Sequence, residues 1–464
     1  MADTANEMAL TRRRLFGSLA APWLLQRRGA PASRPNIVLV LADDLAAWMT
    51  GCYGNREIRT PNLDRLADAG TRMAQSFVCT PASSPSRATL FTGRTPRQHG
   101  IHDFLTESPS PDPPQGQAAP PPSFEREVMI SDLLAGAGYR CGYVGKWHMG
   151  NDAKPGHGFR FTVTLRGEKY QDPDLYADGS AVSEKGYLAE VLTKYASDFI
   201  DQQQKTNPFF LTVSYLNPRL PYEGHPQRYY DLYREARFET LGIQPAAPNA
   251  LRGKEFLDDP VPNIRRVAAS VTALDDQVAA LQRKLLERGL FDNTIFIFTS
   301  ANGFLLGRHG LWSDGHASRP INMYEEVMQV PLIWSWPGRI PVQAVRPEVV
   351  SSYDFLPTLC EAAGVDTPAD RNLCGRSYLP LLMNRPLPPR HPWPDLVFGH
   401  FRYTEMARDK YYKLIVREPG TGPGELYDIR KDPRERINLY EDPGFSTVRA
   451  RLEKRLAEWR EKYA

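Results

Sequence analysis

Asn36-Ile37-Val38-Leu39-Val40-Leu41-Ala42-Asp43-Asp44 holds the key to the architecture. Ile37 to Ala42 is uninterrupted by any polar residue, the pattern of a strand buried on both faces; such strands belong to parallel sheets covered by helices. The run ends abruptly at two carboxylates. The same arrangement recurs down the chain: Tyr139 to Val144 stops before Lys146 and His148, Phe209 to Tyr215 leads into Asn217-Pro218-Arg219, and Thr294 to Thr299 into Ser300-Ala301-Asn302-Gly303. In an open α/β sheet ligands gather beyond the carboxyl ends of the strands, so these polar clusters are expected to converge.

Helical patterns lie between the strands. Thr60-Pro61 reads as a cap followed by a proline at the first helical position, with Leu63, Leu66 and Ala67 on one face and Gly70 as the stop. Val267, Val271, Leu274, Val278, Leu281 and Leu285 form one apolar stripe of a longer helix ending at Gly289. Ser108 to Pro122, rich in Pro, Ser and Gln, reads as a surface loop. A second break falls near Pro386 to Pro394; beyond it Val397 to Val416 reads as strands and turns, and Val448 to Tyr463 as a charged amphipathic helix. The expectation is an α/β fold with a large, mostly parallel sheet over residues 35–385 and a smaller C-terminal α+β unit over 386–464.

Composition narrows the partners. The 464 residues are 41% hydrophobic and 24% charged, enough to bury a large core. A net charge of +3 from 57 basic and 54 acidic residues supplies no basic field for nucleic acid. Five cysteines without CxxC spacing suggest neither a thiolate zinc site nor a dense disulfide framework. Thr11-Arg12-Arg13-Arg14-Leu15-Phe16-Gly17, an apolar stretch through Leu25 and small residues at Ala30 to Ser33 have the form of a twin-arginine export signal, so residues 1–34 read as signal and linker. The alternative is a basic arm. Export implies a periplasmic or secreted protein, and no other stretch approaches the ~18 apolar residues of a membrane span.

Several motifs follow one another in a set order: Asn36 to Asp44, Thr60-Pro61-Asn62-Leu63-Asp64-Arg65-Leu66, Ser83-Ser84-Pro85-Ser86-Arg87 with Thr92-Gly93-Arg94, Gly145-Lys146-Trp147-His148-Met149-Gly150, Ser300 to Gly310, Tyr324-Glu325-Glu326, and Glu425-Leu426-Tyr427-Asp428 with Asp432-Pro433. Together they resemble the sulfatase family, of the formylglycine-dependent, serine-type signature within the alkaline phosphatase-like superfamily. The resemblance implies that Ser83 is oxidised to formylglycine by a maturation enzyme. In the family the hydrated aldehyde offers one hydroxyl to sulfur, and the other expels sulfate as the aldehyde re-forms. Asp43, Asp44, Ser83 and Asn302 are then implied ligands of one Ca²⁺, a hard cation that prefers oxygen. Arg87, Lys146 and His148 are implied to hold the modified residue, neutralise charge and transfer a proton. Pro85 fits the first position of a helix whose free N–H groups would face an anion. Lys146 and His148, two apart, would share one side of an extended segment. Tyr222, His225, Arg308, His309 and His316 stand as candidates for the pocket wall. The implied partner is a sulfated small molecule or glycan.

Three positions depart from the family pattern. Ala301 stands where an aspartate ligand is usual, Arg219 where a histidine assists the leaving oxygen, and Asp314 where a lysine contacts sulfate. Arginine is a poor general acid near neutrality, and a carboxylate repels an anion unless it binds metal. Either Asp314 serves as replacement ligand and Arg219 as replacement anion clamp, or the site has decayed. The function expected is hydrolysis of an aryl or carbohydrate sulfate ester, with turnover weakened by these changes. The alternatives are a pseudosulfatase that binds without turnover, and a phosphoester or phosphonate hydrolase of the same superfamily.

Overall fold

In a computed structural model, the described residues are 34–106, 117 and 119–463. The export-signal expectation, and most of the Ser108 to Pro122 loop, lie outside them. The apolar run becomes strand β1 (Asn36–Asp43), buried along its whole length. Its alternating side chains enter two different cores: Val38, Val40 and Ala42 join the helices Leu188–Asp201 and Pro260–Glu287, whereas Ile37, Leu39 and Leu41 join the helix Phe355–Ala363. A period of two sets this division.

Thirteen further strands follow: β2 (Thr71–Phe77), β3 (Arg140–Gly145), β4 (Phe159–Leu165), β5 (Asp174–Ala177), β6 (Ser180–Ser183), β7 (Phe209–Pro218), β8 (Thr294–Ser300), β9 (Leu332–Ser335), β10 (Ala344–Ser351), β11 (Leu396–Phe401), β12 (Thr404–Asp409), β13 (Tyr412–Arg417) and β14 (Glu425–Asp428). Ten form one sheet in the order β10-β2-β9-β8-β1-β7-β3-β4-β5-β6. The centre, β8-β1-β7-β3-β4, is parallel; β9 runs against both neighbours, and β5 and β6 close one edge antiparallel. The fold is thus the expected mixed, mostly parallel α/β sheet flanked by helices.

The smaller unit is the antiparallel sheet β11-β12-β13-β14 covered by the helix Ser446–Tyr463 through Leu452, Leu456 and Trp459. One apolar cluster holds Phe77 and Leu305 together with Val397, Met406 and Ile415, so the two sheets share a core. The Tyr324-Glu325-Glu326 motif adds ionic ties: Glu325 takes Arg408 at 3.0 Å and Lys413 at 3.3 Å. Its role here is structural.

Helix α1 (Pro61–Asp68) begins with the expected proline, but Thr60 does not cap it. The Thr60 hydroxyl instead accepts from the Gly51 N–H at 2.7 Å. The free N–H groups of Asn62 and Leu63 donate to Asp275 at 2.9 and 2.7 Å, so the cap comes from the long helix more than two hundred residues away. Helix α2 (Ser83–Thr92) also differs from expectation: Ser83 is its first residue and Pro85 its third. The five cysteines are all free.

Candidate active site

The site forms where β1, β3, β7 and β8 end together. Register pairs Leu41 of β1 with Ser214 of β7 and Ala42 with Ser300 of β8, while Gly145 of β3 lies opposite Ser214. Gly145 has φ +113°, and a Cβ there would lie 1.9 Å from the Ser214 carbonyl oxygen, so only glycine permits this approach. Asp43 and Asp44 are neighbours on a strand end and would ordinarily face opposite ways. Asp44 adopts φ 63°, a left-handed conformation that aspartate tolerates better than most residues, and both carboxylates reach Arg219.

Asp43 lies at the centre, fully buried. Its Oδ1 accepts from the Ser83 hydroxyl and from Arg87 Nη2, each at 3.0 Å, and its Oδ2 accepts from Lys146 Nζ at 2.8 Å. Burial works to raise the Asp43 carboxyl, but Lys146, Arg87 and Arg219 outweigh it and hold it well below the usual carboxylate range. Arg87 is spread over four bonds: besides Asp43, its Nε donates to Ser83 Oγ at 3.1 Å, and Nη1 donates to the Lys146 carbonyl at 3.0 Å and Ser214 Oγ at 2.7 Å. The planar fork satisfies all of them from one buried side chain.

Asp44 accepts from Asn302 Nδ2 at 2.7 Å and Arg219 Nη1 at 3.1 Å. Burial raises this carboxyl above the ordinary range; Arg219 opposes the rise, and Asp43 and Asp314 add to it. Asn302 Oδ1 is buried with no hydrogen-bond partner among the described residues. With the Asp43, Asp44 and Ser83 oxygens it makes an all-oxygen donor set that fits a hard divalent cation, one carboxylate short of the family pattern. Ala301 explains the shortfall: its side chain is buried in an apolar cluster and offers no donor.

His148 also reaches Ser83, with Nδ1 at 3.4 Å from Oγ and Nε2 at 2.9 Å from the Leu105 carbonyl. It does so by a different route from the expected extended segment: β3 ends at Gly145, and His148 has a left-handed φ of 56°. Burial, with Lys146 and Arg219 nearby, pushes its pKa down to about 3, so the ring is neutral near pH 7. His148 lines a cavity of about 590 Å³ together with Leu105, Asn151, Arg166 and Tyr176.

The substituted positions are not idle. Arg219 spans Asp44, Asp43 at 3.6 Å and Glu168 at 3.3 Å. Asp314 is buried, and its Oδ1 accepts from the His316 backbone N–H at 2.9 Å while lying 3.0 Å from His316 Nδ1. His316 Nε2 continues to Asp103 at 2.7 Å, and Asp103 pairs with Arg402. Asp314 is close enough to act on Asp44 and Arg219 electrostatically, while its Oδ1 is engaged by His316.

Sequence reasoning missed Ser214 and Glu168. Ser214 sits inside an apolar run and offered no signal. Glu168 follows Gly167 in the loop between β4 and β5, and its Oε1 lies 2.6 Å from Lys146 Nζ. Partial desolvation works to raise Glu168, but Lys146 and Arg219 hold it at about 2. The pocket-wall candidates go elsewhere: Tyr222 accepts from Trp312 Nε1 at 3.0 Å, His225 lies 2.9 Å from the Tyr187 hydroxyl, and Arg308 and His309 pair with Glu326. None of the five borders the cavity beside His148. His309, Glu326 and Glu435 bring ligand-type atoms within 4.8 Å of one another, with Arg308 paired to Glu326 and Lys413 to Glu435.

Ser83, at the start of a buried helix, thus meets Asp43 and Arg87 at the carboxyl edge of a mostly parallel sheet, with Asp44, Lys146 and Arg219 in the same ionic network. Residues 35–365 match the sulfatase family, and residues 309–462 match the C-terminal part of N-sulphoglucosamine sulphohydrolase. The chain belongs to the sulfatase family, and its sulfatase relatives support a sulfuric ester hydrolase at the level of the family. It is 27% identical to N-acetylglucosamine-6-O-sulfatase of Bacteroides thetaiotaomicron, over 93% of this chain and 87% of the relative. It is 29% identical to human arylsulfatase A, over 88% and 84% of the two chains. A solved structure of a relative in complex with its substrate D-glucosamine-2-N,6-O-disulfate superposes with a TM-score of 0.76 at 25% identity, covering 93% of this chain and 98% of that one. No helix among the described residues is long and apolar enough to cross a membrane.

Proposed function

We propose that this protein hydrolyses a carbohydrate sulfate ester, with residues 35–385 as the catalytic-type unit and 386–464 as the smaller unit, after export by its twin-arginine segment. The observation that carries the reading is the environment of one oxygen. Ser83 Oγ lies 3.0 Å from Asp43 Oδ1, 3.1 Å from Arg87 Nε and 3.4 Å from His148 Nδ1. Oxidised to formylglycine, Ser83 would supply a hydrated aldehyde, the chemistry that provides both the nucleophile and the release of sulfate. Asp43, Asp44 and Asn302, with the oxygen on residue 83, would hold one Ca²⁺, which would supply Lewis-acid charge stabilisation at the sulfate ester.

The chain's own groups then divide the work. Arg87 fixes the oxygen on residue 83, and neutral His148 accepts a proton from it through Nδ1. Lys146 and Arg219 face the charge that builds on the sulfuryl group. Arg219 orients but does not protonate the leaving oxygen, so turnover is slower than where a histidine stands there. The cavity beside His148 receives the leaving group, and its volume is within the ~300–1,000 Å³ of small-molecule sites. The glucosamine-sulfate relatives support a sugar sulfate as substrate, and the arylsulfatase relatives make an aryl sulfate the comparison substrate.

The test is coexpression with a serine-type maturation enzyme, followed by mass analysis of the Ser83 peptide and assays on glucosamine 6-sulfate and an aryl sulfate. Loss of one hydrogen pair at Ser83, with hydrolysis abolished in Ser83→Ala, is expected. An oxidised Ser83 that hydrolyses no sulfate ester would leave the protein as a binding pseudoenzyme.

A further inference from the structure

Two cations of the site, buried Lys146 and partly exposed Arg219, already hold a carboxylate from the loop after β4. Lys146 and Arg219 lie between two acids: Asp43 on the inner side, with no exposure, and Glu168 on the outer side, whose side chain is 40% exposed. Glu168 Oε1 takes Lys146 Nζ at 2.6 Å, and its two oxygens lie 3.3 and 3.4 Å from Arg219 Nε. A carboxylate and a sulfuryl group present the same feature to these donors, a pair of anionic oxygens, and charge-assisted donors bind either. The chemistry proposed above needs the same two cations for the substrate. We propose that Glu168 is an internal competing anion, seated in the place of the sulfate group, which the substrate must displace and which thereby sets the affinity of the site for anions.

The setting allows that displacement. Glu168 stands on the loop after β4, whose neighbouring residues Arg166 and Gly167 line the cavity beside His148. Swinging its carboxylate outward trades two protein contacts for water without opening the core, since the side chain is already partly solvated. Charge gives a reason for the arrangement. Lys146 and Arg219 already face Asp43, and Glu168 adds a second carboxylate on their outer side while the site is empty. Affinity is then kept for ligands able to displace it. The inference rests on the sulfate-ester reading, but it is tested by binding, which needs neither maturation nor turnover.

Inorganic sulfate is titrated calorimetrically into the full chain, in excess Ca²⁺, for the wild type, Glu168→Gln and Glu168→Ala. Each variant should bind sulfate about tenfold more tightly, the exposure of Glu168 keeping the gain from being larger. Adding Arg219→Gln to the Glu168→Gln chain should erase the gain, which a merely structural role for Glu168 would not predict. Unchanged or weaker binding in folded variants, absence of sulfate binding in all of them, or a gain that survives Arg219→Gln would each overturn the proposal. If Glu168→Gln does not fold, Glu168→Asp gives the same comparison, because the shorter side chain cannot span both cations. A matured wild type that hydrolyses no sulfate ester would leave these outcomes intact, so the two readings fail separately.

Discussion

Replacing Arg87 by Met removes a side chain that ties β1, β7 and the segment after β3 to helix α2. Its four bonds, to Asp43, Ser83, Ser214 and the Lys146 carbonyl, range from 2.7 to 3.1 Å, and both Arg87 and Asp43 are fully buried. Removing one partner of a buried ion pair costs ~3–5 kcal/mol because the remaining charge is left uncompensated. Here Lys146 still holds Asp43 Oδ2 at 2.8 Å, so the expected loss is at the lower end, about 3 kcal/mol. Urea unfolding with Ca²⁺ chelated measures it without interference from metal binding. Asp43→Asn supplies the other arm of a double-mutant cycle: with the carboxylate gone, Arg87→Met should cost about 2 kcal/mol less than in the wild type. Hydrolysis in the matured protein should fall sharply in Arg87→Met, since the oxygen on residue 83 loses the guanidinium that donates to it. A loss below about 1 kcal/mol, or strictly additive costs, would refute the view that Arg87 and Asp43 form one electrostatic unit.

Calcium should raise the melting temperature by mass action, with about 2.7 kcal/mol gained at a hundredfold excess over Kd, and Asn302→Ala or Asp44→Asn should abolish most of that shift; scanning calorimetry with and without chelator decides it. Acid should destabilise the protein through histidines away from the site. Burial pushes both His225 and His400 down to about 3 in the folded protein, against 6.5 as the ordinary value, so the unfolded chain binds more protons between these limits. Stability is then complete above about pH 6.5 and falls with decreasing pH, by about 1.4 kcal/mol per pH unit for each histidine. His400→Asn should flatten the fall measured by urea midpoints between about pH 6 and 4, and an unchanged slope would contradict the assignment.

Much of the architecture was legible along the chain. An unbroken apolar run such as Ile37 to Ala42 has the pattern of a strand covered on both faces, and its abrupt end at Asp43-Asp44 pointed to the edge where the candidate site lies. Ser83, Arg87, Lys146, His148 and Asn302 were legible because their types and order resemble a family pattern, and Arg219, Ala301 and Asp314 because they break it. What was not legible depends on residues far apart in sequence. The cap of α1 is Asp275, which no local signal near Thr60 can announce, because a helix end accepts any oxygen that packing delivers to its free N–H groups. Glu168 reads as an ordinary loop acid until the pairing of β3, β4 and β7 sets its loop beside Lys146 and Arg219. The commitment of Asp314 to His316, and of His316 to Asp103, likewise turns a charge reversal into part of a buried network. Periodicity and residue type are local properties and were enough for strands, helices and candidate chemistry. The partner of each charge is set by distance in the folded chain, because a buried ionic group is stabilised only by neighbours within a few ångströms, and those neighbours are chosen by the register of the sheet.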